Sequence, residues 1–313
     1  MIQLRDISYY QTGGSCSRLF EPESIPQLVD AMKEIHSTGL KYFLLGGGTN
    51  SLVMDEPWSG AVITFRRMSR IEVRGDVLYV EAGADNSAIA RECLANSLSG
   101  AAWMNRLPGQ IGGTIRMNAR CYGGEISEIV RRVYCVSIEG VQRQYDDKSV
   151  FRGYKDTLFM DTGDVIAAAE LHLSHGEAKL IKEKMSACES DRISKGQFLY
   201  PSCGCIFKND YVAGVPSGML LERAGVKGMS VGSAEVSPAH ANFVFNKGCT
   251  SRDILELSIK MRQAVYDRFG VWLEYEMEIL GDIPQDLQAQ LKEKRRFLPS
   301  SALEEARRTF KER

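Results

Sequence analysis

A thiol on a glycine-containing bend is the first candidate for chemistry in this sequence. It lies in the run Tyr200–Asn209, with the sequence YPSCGCIFKN, where Cys205 directly follows Gly204. Glycine permits a tight bend, and a cysteine beside it offers an acidic side chain that can donate a proton. The usual alternative for a cysteine in an apolar context is a buried, chemically inert thiol.

Two glycine-rich loops supply a second kind of chemistry, the binding of phosphates by backbone N–H groups. The first follows a predicted strand and contains Gly46, Gly47, Gly48, Thr49, Asn50 and Ser51. The second contains Pro108, Gly109, Gly112 and Gly113, and Asn118 lies in a flexible stretch after it. The first loop alone is equally typical of a tight turn, and it does not match the G-x-G-x-x-G fingerprint. Together they suit a long ligand with a central diphosphate, such as FAD.

The elements that must position these residues are a mixture of helices and strands. Helices are predicted over 24–38, 86–97, 176–194, 218–225 and 251–269. Strands are predicted over 42–45, 61–65, 77–81, 129–137, 164–173, 241–245 and 273–280. Ser24 and Thr250 are predicted N-caps, and Gly39 and Gly270 are suited to end the same two helices. The mixture indicates an α+β fold with a boundary near 180–195.

Bulk composition excludes several classes of function. The 313 residues carry a net charge of −1, which gives no overall bias toward nucleic acid or an anionic membrane. We expect no membrane partner and no secretion signal, so the cytoplasm is the predicted compartment. The eight cysteines are scattered without zinc-ligand spacing, so no metal and no disulfide framework are expected.

An ordered set of motifs resembles the UDP-N-acetylenolpyruvoylglucosamine reductase (MurB) family. The motifs are GGGTN, LPGQIGG, MNA, YGG, GYKD, YPSCGCIFKN, AGVKG, VSPAHANF and LEYEMEILG, over about residues 6–282. The resemblance implies an FAD-binding domain of the vanillyl-alcohol-oxidase (PCMH) type and a smaller α+β substrate domain. We assign the first to 1–180, with two subdomains split near 66–75, and the second to 190–282. A charged helical tail follows over 283–313.

The resemblance also implies a reaction. Members of the family use NADPH to reduce FAD, and because no His or Cys of this chain stands in an obvious tethering motif, we expect the FAD to be bound non-covalently. The family enzymes then reduce the enolpyruvyl ether of UDP-N-acetylglucosamine-enolpyruvate to UDP-N-acetylmuramate, a step in peptidoglycan precursor synthesis. The expected partner is therefore a small UDP-sugar. Flavin N5 gives hydride to the terminal carbon of the enolpyruvyl group, and a serine protonates the adjacent carbon.

Site residues follow by position in the motifs. Cys205 occupies the place of the proton-donating serine, and Glu276 that of the catalytic glutamate. Tyr154 and Lys155 stand where the family has a Tyr-Arg pair that holds the substrate carboxylate. Lys195, Lys208 and Asn209 are candidates for substrate binding. Solvated or turn-shaping roles remain open for the three lysines and for Asn209, and an exposed strand face remains open for Glu276.

Departures from the family pattern keep a second hypothesis open. Lys155 lacks the bidentate fork of arginine. Arg116 and Arg120 stand where the family prefers an uncharged residue and a glycine. A related FAD-dependent oxidoreductase acting on a different small acid is the alternative, followed by a non-catalytic flavin-binding protein. His240 is predicted to be structural, bonded to a backbone carbonyl.

Overall fold

The computed structural model describes residues 2–312. In chain order the α-helices are α1 (Ile25–Thr38), α2 (Asn86–Ala95), α3 (Ile111–Arg116), α4 (Ile126–Ile129), α5 (Ala178–Ser194), α6 (Ser217–Arg223), α7 (Ser251–Phe269), α8 (Gln285–Lys292) and α9 (Ser301–Lys311). The strands are β1 (Cys16–Phe20), β2 (Tyr42–Leu45), β3 (Ser51–Val53), β4 (Trp58–Thr64), β5 (Ile71–Arg74), β6 (Val77–Glu81), β7 (Leu98–Ser99), β8 (Arg120–Cys121), β9 (Gly124–Glu125), β10 (Val130–Val136), β11 (Gln142–Tyr145), β12 (Phe151–Gly153), β13 (Asp156–Thr157), β14 (Val165–His172), β15 (Ser174–His175), β16 (Ser230–Val231), β17 (Ala234–Val236), β18 (Val244–Asn246) and β19 (Glu278–Leu280). The α+β class is confirmed, and the five predicted helices correspond to α1, α2, α5, α6 and α7.

The chain divides into two compact units. The central unit consists of Cys16–Gly47 and Ser59–Arg192, and the terminal unit consists of the segment up to Ser15, the insert Gly48–Trp58 and the chain from Ile193 onward. The glycine loop at 46–51 therefore contributes residues to both units. The domain limits that we assign by family resemblance stay a prediction.

The central unit is built on a five-stranded antiparallel sheet. Its strand order is β11-β10-β14-β6-β5, so β14 lies in the middle. Five successive buried residues, 165–169, form the first part of β14, as expected for a strand covered on both faces. A smaller sheet of order β1-β4-β2 contains the parallel pair β2 and β4.

Helix α1 of the central unit confirms the capping prediction. The Ser24 hydroxyl accepts a hydrogen bond from the Gln27 N–H at 3.4 Å. At the other end Gly39 adopts φ +64°, the left-handed conformation that glycine adopts most readily. The apolar stripe between them, including Leu28, Met32 and Ile35, is buried. Cap and stripe together therefore fix the start, the end and the buried face of this helix.

The terminal unit is organised around α7. The Thr250 hydroxyl accepts from the Asp253 N–H, and the Asp253 carboxylate accepts from the Thr250 N–H, which completes a capping box. Gly270 ends the helix at φ +68°. A Cβ at Gly270 would lie 1.6 Å from the Leu298 carbonyl oxygen, so only glycine lets the tail approach.

The charged tail, predicted to be helical, forms α8 and α9 on either side of Pro299. Both helices pack against α7. Leu287 of α8 and Leu303 and Ala306 of α9 are buried in the core of the terminal unit. Burial of each leucine side chain stabilises the fold by roughly 1.5–3 kcal/mol, so the tail is part of the terminal unit.

The predicted strand over 273–280 is wrong for most of its length. Only its last three residues form a strand, β19, which pairs in parallel with β3. Upstream, the N–H groups of Glu276 and Met277 both donate to the Ile206 carbonyl, at 2.8 and 3.3 Å. Two successive donors on one acceptor break the alternation of side chains, as in a β-bulge. Glu274, Glu276 and Glu278 therefore do not lie on one continuous strand.

The predicted strand over 241–245 starts later than expected. The Phe243 N–H donates to the His240 carbonyl at 2.9 Å and so closes a turn. Strand β18 begins after this turn, at Val244, and pairs with β17. Phe243 of this turn forms an antiparallel bridge with Cys205. Among residues 2–312, no helix has the length and apolar character needed to cross a membrane.

Candidate active site

The loop that carries Cys205 is held by one asparagine of the terminal unit. Gly204 adopts φ +74°, which gives the bend that the sequence predicts. Cys205 forms a bridge with Phe243, and the Ile206 N–H donates to the Asn242 carbonyl at 2.9 Å. The Asn242 side chain accepts from the Phe207 N–H at 3.0 Å and donates to the Phe207 carbonyl at 2.9 Å.

Asn242 thus fixes the backbone directly after Cys205. Sequence reasoning includes this asparagine only as a letter of the motif VSPAHANF and gives it no role. The signal available in the sequence was an amide side chain in an otherwise apolar run, Ala241–Phe245.

Glu276 is brought to the same place by backbone hydrogen bonds. Its N–H donates to the carbonyl of Ile206, the residue that follows Cys205, at 2.8 Å. Its own carbonyl accepts from the Asn50 side-chain amide at 2.9 Å. Both Cys205 and Glu276 are half-buried. The structure therefore brings these two predicted catalytic residues together, and Asn50 of the glycine loop helps to position one of them.

A second thiol lies behind Cys205. Cys203 is 2% exposed, and its pKa is raised by burial and then by the nearby Cys205 and Glu276. Tyr10 is 0% exposed, and its pKa is raised by burial and by the same Cys203 thiol. The Tyr10 hydroxyl donates to the Val244 carbonyl at 2.8 Å. Because Cys203 is enclosed and stays a neutral thiol, the half-buried Cys205 is the sulfur of this pair that a ligand can reach.

Tyr10 is a residue that sequence reasoning missed. It links the N-terminal segment to the strand that follows the Cys205 loop, since the Asn246 amide also donates to the Tyr10 carbonyl at 2.8 Å. Nothing in the local pattern at Tyr10 signals this, because both partners lie more than 230 positions away in the sequence, at separations of 234 and 236.

Lys208 and Asn209 have partners within the terminal unit. The Lys208 ammonium lies 3.8 Å from the exposed Glu274 carboxylate. The Asn209 side-chain oxygen accepts from the Ser217 N–H at 3.0 Å, at the start of α6, and the Ser217 hydroxyl donates to the Lys208 carbonyl. These contacts shape the bend after Phe207, and a role in substrate binding stays a prediction for both residues.

Lys195 lies directly after α5 and is exposed. Its charge, after burial, is a cause of the lowered pKa of His240. The His240 ring stacks on Phe243 with centroids 4.1 Å apart, and its Nδ1 accepts from the Asn242 N–H at 3.4 Å. The sequence predicts a bond from His240 to a backbone carbonyl, whereas the bond at Nδ1 comes from a backbone N–H, which needs this ring nitrogen to be unprotonated.

The second glycine loop belongs to the central unit and packs on residues 82–86. The N–H groups of Ile111 and Gly112 donate to the Ala84 and Ala82 carbonyls, both at 2.9 Å. A Cβ at Gly112 would lie 3.0 Å from the Ala82 Cβ, so this glycine serves close packing. A Cβ at Gly113 would meet nothing within 4 Å, so this position faces open space.

Two buried carbonyl oxygens in the central unit have no hydrogen-bond partner among residues 2–312. They are Gln110 Oε1 and Asn118 Oδ1. A Cβ at Gly46 would lie 3.2 Å from Gln110 Oε1, so glycine at 46 leaves room beside this buried oxygen. Buried polar atoms are satisfied in nearly all native proteins, so each of these oxygens indicates a point at which a ligand donates a hydrogen bond.

Tyr154 and Lys155 lie on the hairpin formed by β12 and β13. Lys155 adopts φ +55° and its ammonium lies 6.0 Å from the centre of the Tyr154 ring. The Arg120 guanidinium lies closer, 4.5 Å from the same centre. Asn118 joins this hairpin to the neighbouring one by donating to the Gly153 carbonyl at 2.9 Å and to the Glu125 carboxylate at 2.6 Å.

Comparison with known proteins gives a consistent family. The model described as "UDP-N-acetylenolpyruvoylglucosamine reductase, C-terminal domain" matches residues 196–280, and the model described as "FAD binding domain" matches residues 16–144. A UDP-N-acetylenolpyruvoylglucosamine reductase of Borreliella burgdorferi is 36% identical over 89% of this chain and 94% of its own length. One of Treponema denticola is 34% identical over 89% and 92%. The crystal structure of the Thermus caldophilus reductase aligns with a TM-score of 0.75 at 28% identity, over 89% of this chain and 97% of that one. The chain therefore belongs to the UDP-N-acetylenolpyruvoylglucosamine reductase family.

Proposed function

We propose that this protein reduces the enolpyruvyl ether of UDP-N-acetylglucosamine-enolpyruvate to UDP-N-acetylmuramate, with NADPH as the reductant and FAD as the cofactor. This places it in peptidoglycan precursor synthesis, in the cytoplasm. The observation that carries the proposal is the hydrogen bond from the Glu276 N–H to the carbonyl of Ile206, the residue that directly follows Cys205. Family membership supplies the substrate, since the relatives are named for it.

The central unit fits FAD. The cofactor has N–H donors on its adenine and flavin rings and O–H donors on its ribityl chain, which suit the unsatisfied oxygens of Gln110 and Asn118. Gly46 leaves room beside one of these buried oxygens, and Gly113 leaves room for close approach. We infer that these residues hold FAD without a covalent bond. When bound, FAD supplies the hydride for the substrate double bond.

Cys205 donates the proton in this proposal. A thiol has an ordinary pKa of about 8.5, so it is a much stronger acid than the serine alcohol that the family pattern has at this position. The hydrogen bonds of Asn242 hold the backbone beyond Cys205 in place. A fixed donor avoids the loss of rate that follows when a proton donor is misplaced by about 1 Å. The resulting thiolate regains a proton before the next turnover.

Glu276 supports the same step. Its carboxylate polarises the intermediate or relays a proton to Cys205. The backbone of Glu276 is held from both sides, by the Ile206 carbonyl at 2.8 Å and by the Asn50 amide at 2.9 Å. The carboxylate therefore starts from a well-defined position on the loop, although it does not lie on a regular strand.

Positive groups recognise the anionic substrate. We propose that Lys155, beside Tyr154, binds the enolpyruvyl carboxylate, and that Lys195 binds a substrate phosphate. Lys208 and Asn209 line the bend next to Cys205 and complete the substrate contacts. Lysine gives charge without a planar fork, so Lys155 alone orients a carboxylate less firmly than an arginine does.

The test is an anaerobic titration of the purified protein. We expect a yellow protein whose flavin is bleached by NADPH and regains its absorbance when UDP-N-acetylglucosamine-enolpyruvate is added. Glu276→Gln is expected to bind FAD but to slow the return of absorbance. A reduced flavin that is unaffected by this substrate would overturn the proposal. If a small unsaturated acid without a UDP-sugar reoxidises it instead, the protein is the related oxidoreductase of a different pathway.

A further inference from the structure

We propose that Arg120 supplies the guanidinium that holds the substrate carboxylate. The family pattern gives this task to an arginine, which this chain replaces with Lys155. The inference rests on the proposed function, because it takes the enolpyruvyl carboxylate as the ligand. It concerns two adjacent hairpins of the central unit, β8–β9 and β12–β13.

The geometry places two cations at one aromatic ring. The Arg120 guanidinium carbon lies 4.5 Å from the centre of the Tyr154 ring, and the Lys155 ammonium lies 6.0 Å from it. A guanidinium over a tyrosine face is held by cation–π attraction and by stacking. The ring therefore holds the Arg120 guanidinium beside the residue that replaces the family arginine.

A second contact orients Arg120 without enclosing it. Its guanidinium lies 3.7 Å from the Glu125 carboxylate, and its side chain is 38% exposed. The same carboxylate also accepts hydrogen bonds from the Asn118 amide at 2.6 Å and the Ser127 hydroxyl at 2.8 Å. Glu125 pairs with Arg120 and accepts hydrogen bonds from two further donors, so it positions the arginine, whose side chain stays partly exposed.

The chemistry explains why an arginine is needed here. A guanidinium binds a carboxylate through two parallel hydrogen bonds, whereas an ammonium acts as a point charge. The chain lacks the guanidinium at 155 and has one at 120, where the family prefers glycine. Both residues face Tyr154, so the two departures from the family pattern compensate each other at one site.

The experiment measures reoxidation of the photoreduced flavin by UDP-N-acetylglucosamine-enolpyruvate in Arg120→Gly, Arg120→Lys and the double variant Arg120→Gly with Lys155→Arg. We expect Arg120→Gly to lower the rate at limiting substrate by about 10- to 100-fold, the range for losing charge-assisted hydrogen bonds. Arg120→Lys should lose less, and the double variant should recover most of the loss because it restores the family arrangement. FAD content and reoxidation by dioxygen should stay unchanged in all three.

Arg74→Lys is the matched control. Arg74 lies 5.2 Å from the Tyr79 ring centre and pairs with Glu72, so it repeats the arginine–tyrosine–glutamate arrangement in the same unit. We expect it to reoxidise at the wild-type rate. A wild-type rate in Arg120→Gly, or no recovery in the double variant, would overturn the role of Arg120 but leave the proposed function standing. Absence of substrate reoxidation in the wild-type protein would overturn the proposed function and this inference with it.

Discussion

Asn50 and Glu276 are joined by a 2.9 Å hydrogen bond from the Asn50 amide to the Glu276 carbonyl, although 226 positions separate them in the chain. The Glu278 N–H returns a bond to the Asn50 carbonyl at 2.9 Å. Strands β3 and β19 continue this pairing in parallel. The sequence predicts Asn50 as a cofactor ligand, and the structure adds that its amide nitrogen supports the backbone of Glu276, the residue proposed to assist catalysis.

Replacing Asn50 with alanine should therefore affect the substrate step. We expect Asn50→Ala to lower the rate of flavin reoxidation by the substrate by roughly tenfold or more, because Glu276 loses a constraint. FAD content at saturating cofactor should be unchanged. Asn96→Ala is the control, since Asn96 also donates to a carbonyl at 2.9 Å but lies on the exposed end of α2. Equal rates in wild type and Asn50→Ala would contradict the positioning role.

Tyr10 offers a test of how the Cys205 loop is supported. Tyr10→Phe removes only a hydroxyl, yet it leaves the Val244 carbonyl without that 2.8 Å donor in a fully buried site. We expect the free energy of unfolding to fall by about 1–3 kcal/mol. Tyr266→Phe, which loses a longer 3.4 Å bond at the surface, should change it by less than about 0.5 kcal/mol. Chemical denaturation of both variants provides the comparison, and equal losses would count against the tether.

Gly270 tests the docking of the tail. Gly270→Ala places a Cβ against the Leu298 carbonyl at a position with φ +68°, and Gly39→Ala creates the same backbone strain at φ +64° with nothing nearby. The strain alone costs about 1–2 kcal/mol. We expect Gly270→Ala to destabilise the protein well beyond Gly39→Ala in thermal unfolding. Similar shifts in both variants would mean that the tail does not need this close approach.

Stability should depend on pH through His240. Burial and the nearby Lys195 and Lys227 lower its pKa below 6.5, against a smaller opposing effect of Glu222. In the window just below pH 6.5 the unfolded chain binds a proton that the folded chain does not, so stability is full above this window and falls as the pH falls through it. Denaturant unfolding between about pH 5 and 7.5 measures the slope. His240→Gln should flatten it, and the exposed His175→Gln should not.

Local rules predict much of this fold and less of its site. Helix α7 could be read from the chain because Thr250, Asp253 and Gly270 mark its ends. The strand predicted over 273–280 failed because its course depends on Ile206, a distant acceptor that no local pattern reveals. Helix ends are encoded by neighbours in sequence, whereas pairing with a remote carbonyl is decided by tertiary packing.

The same distinction applies to the site residues. Cys205 and Glu276 were predictable from their motifs, because each lies in one of the ordered motifs that resemble the family. Tyr10 and Asn242 were not, since their partners are distant or are backbone groups. The departures at Arg120 and Lys155 read separately as signs of an altered substrate. Their common position at Tyr154 became visible only in three dimensions.

The most direct test of the account is the rate at which substrate reoxidises the photoreduced flavin in Cys205→Ala and Cys205→Ser. The account predicts that Cys205→Ala binds FAD normally but loses at least about 100-fold in this rate, since general acid catalysis contributes that much. Cys205→Ser, which restores the family residue, should keep a substantial part of the rate. If Cys205→Ala reoxidises its flavin with the substrate as fast as the wild type, the sulfur at 205 is not the proton donor and the central claim is wrong.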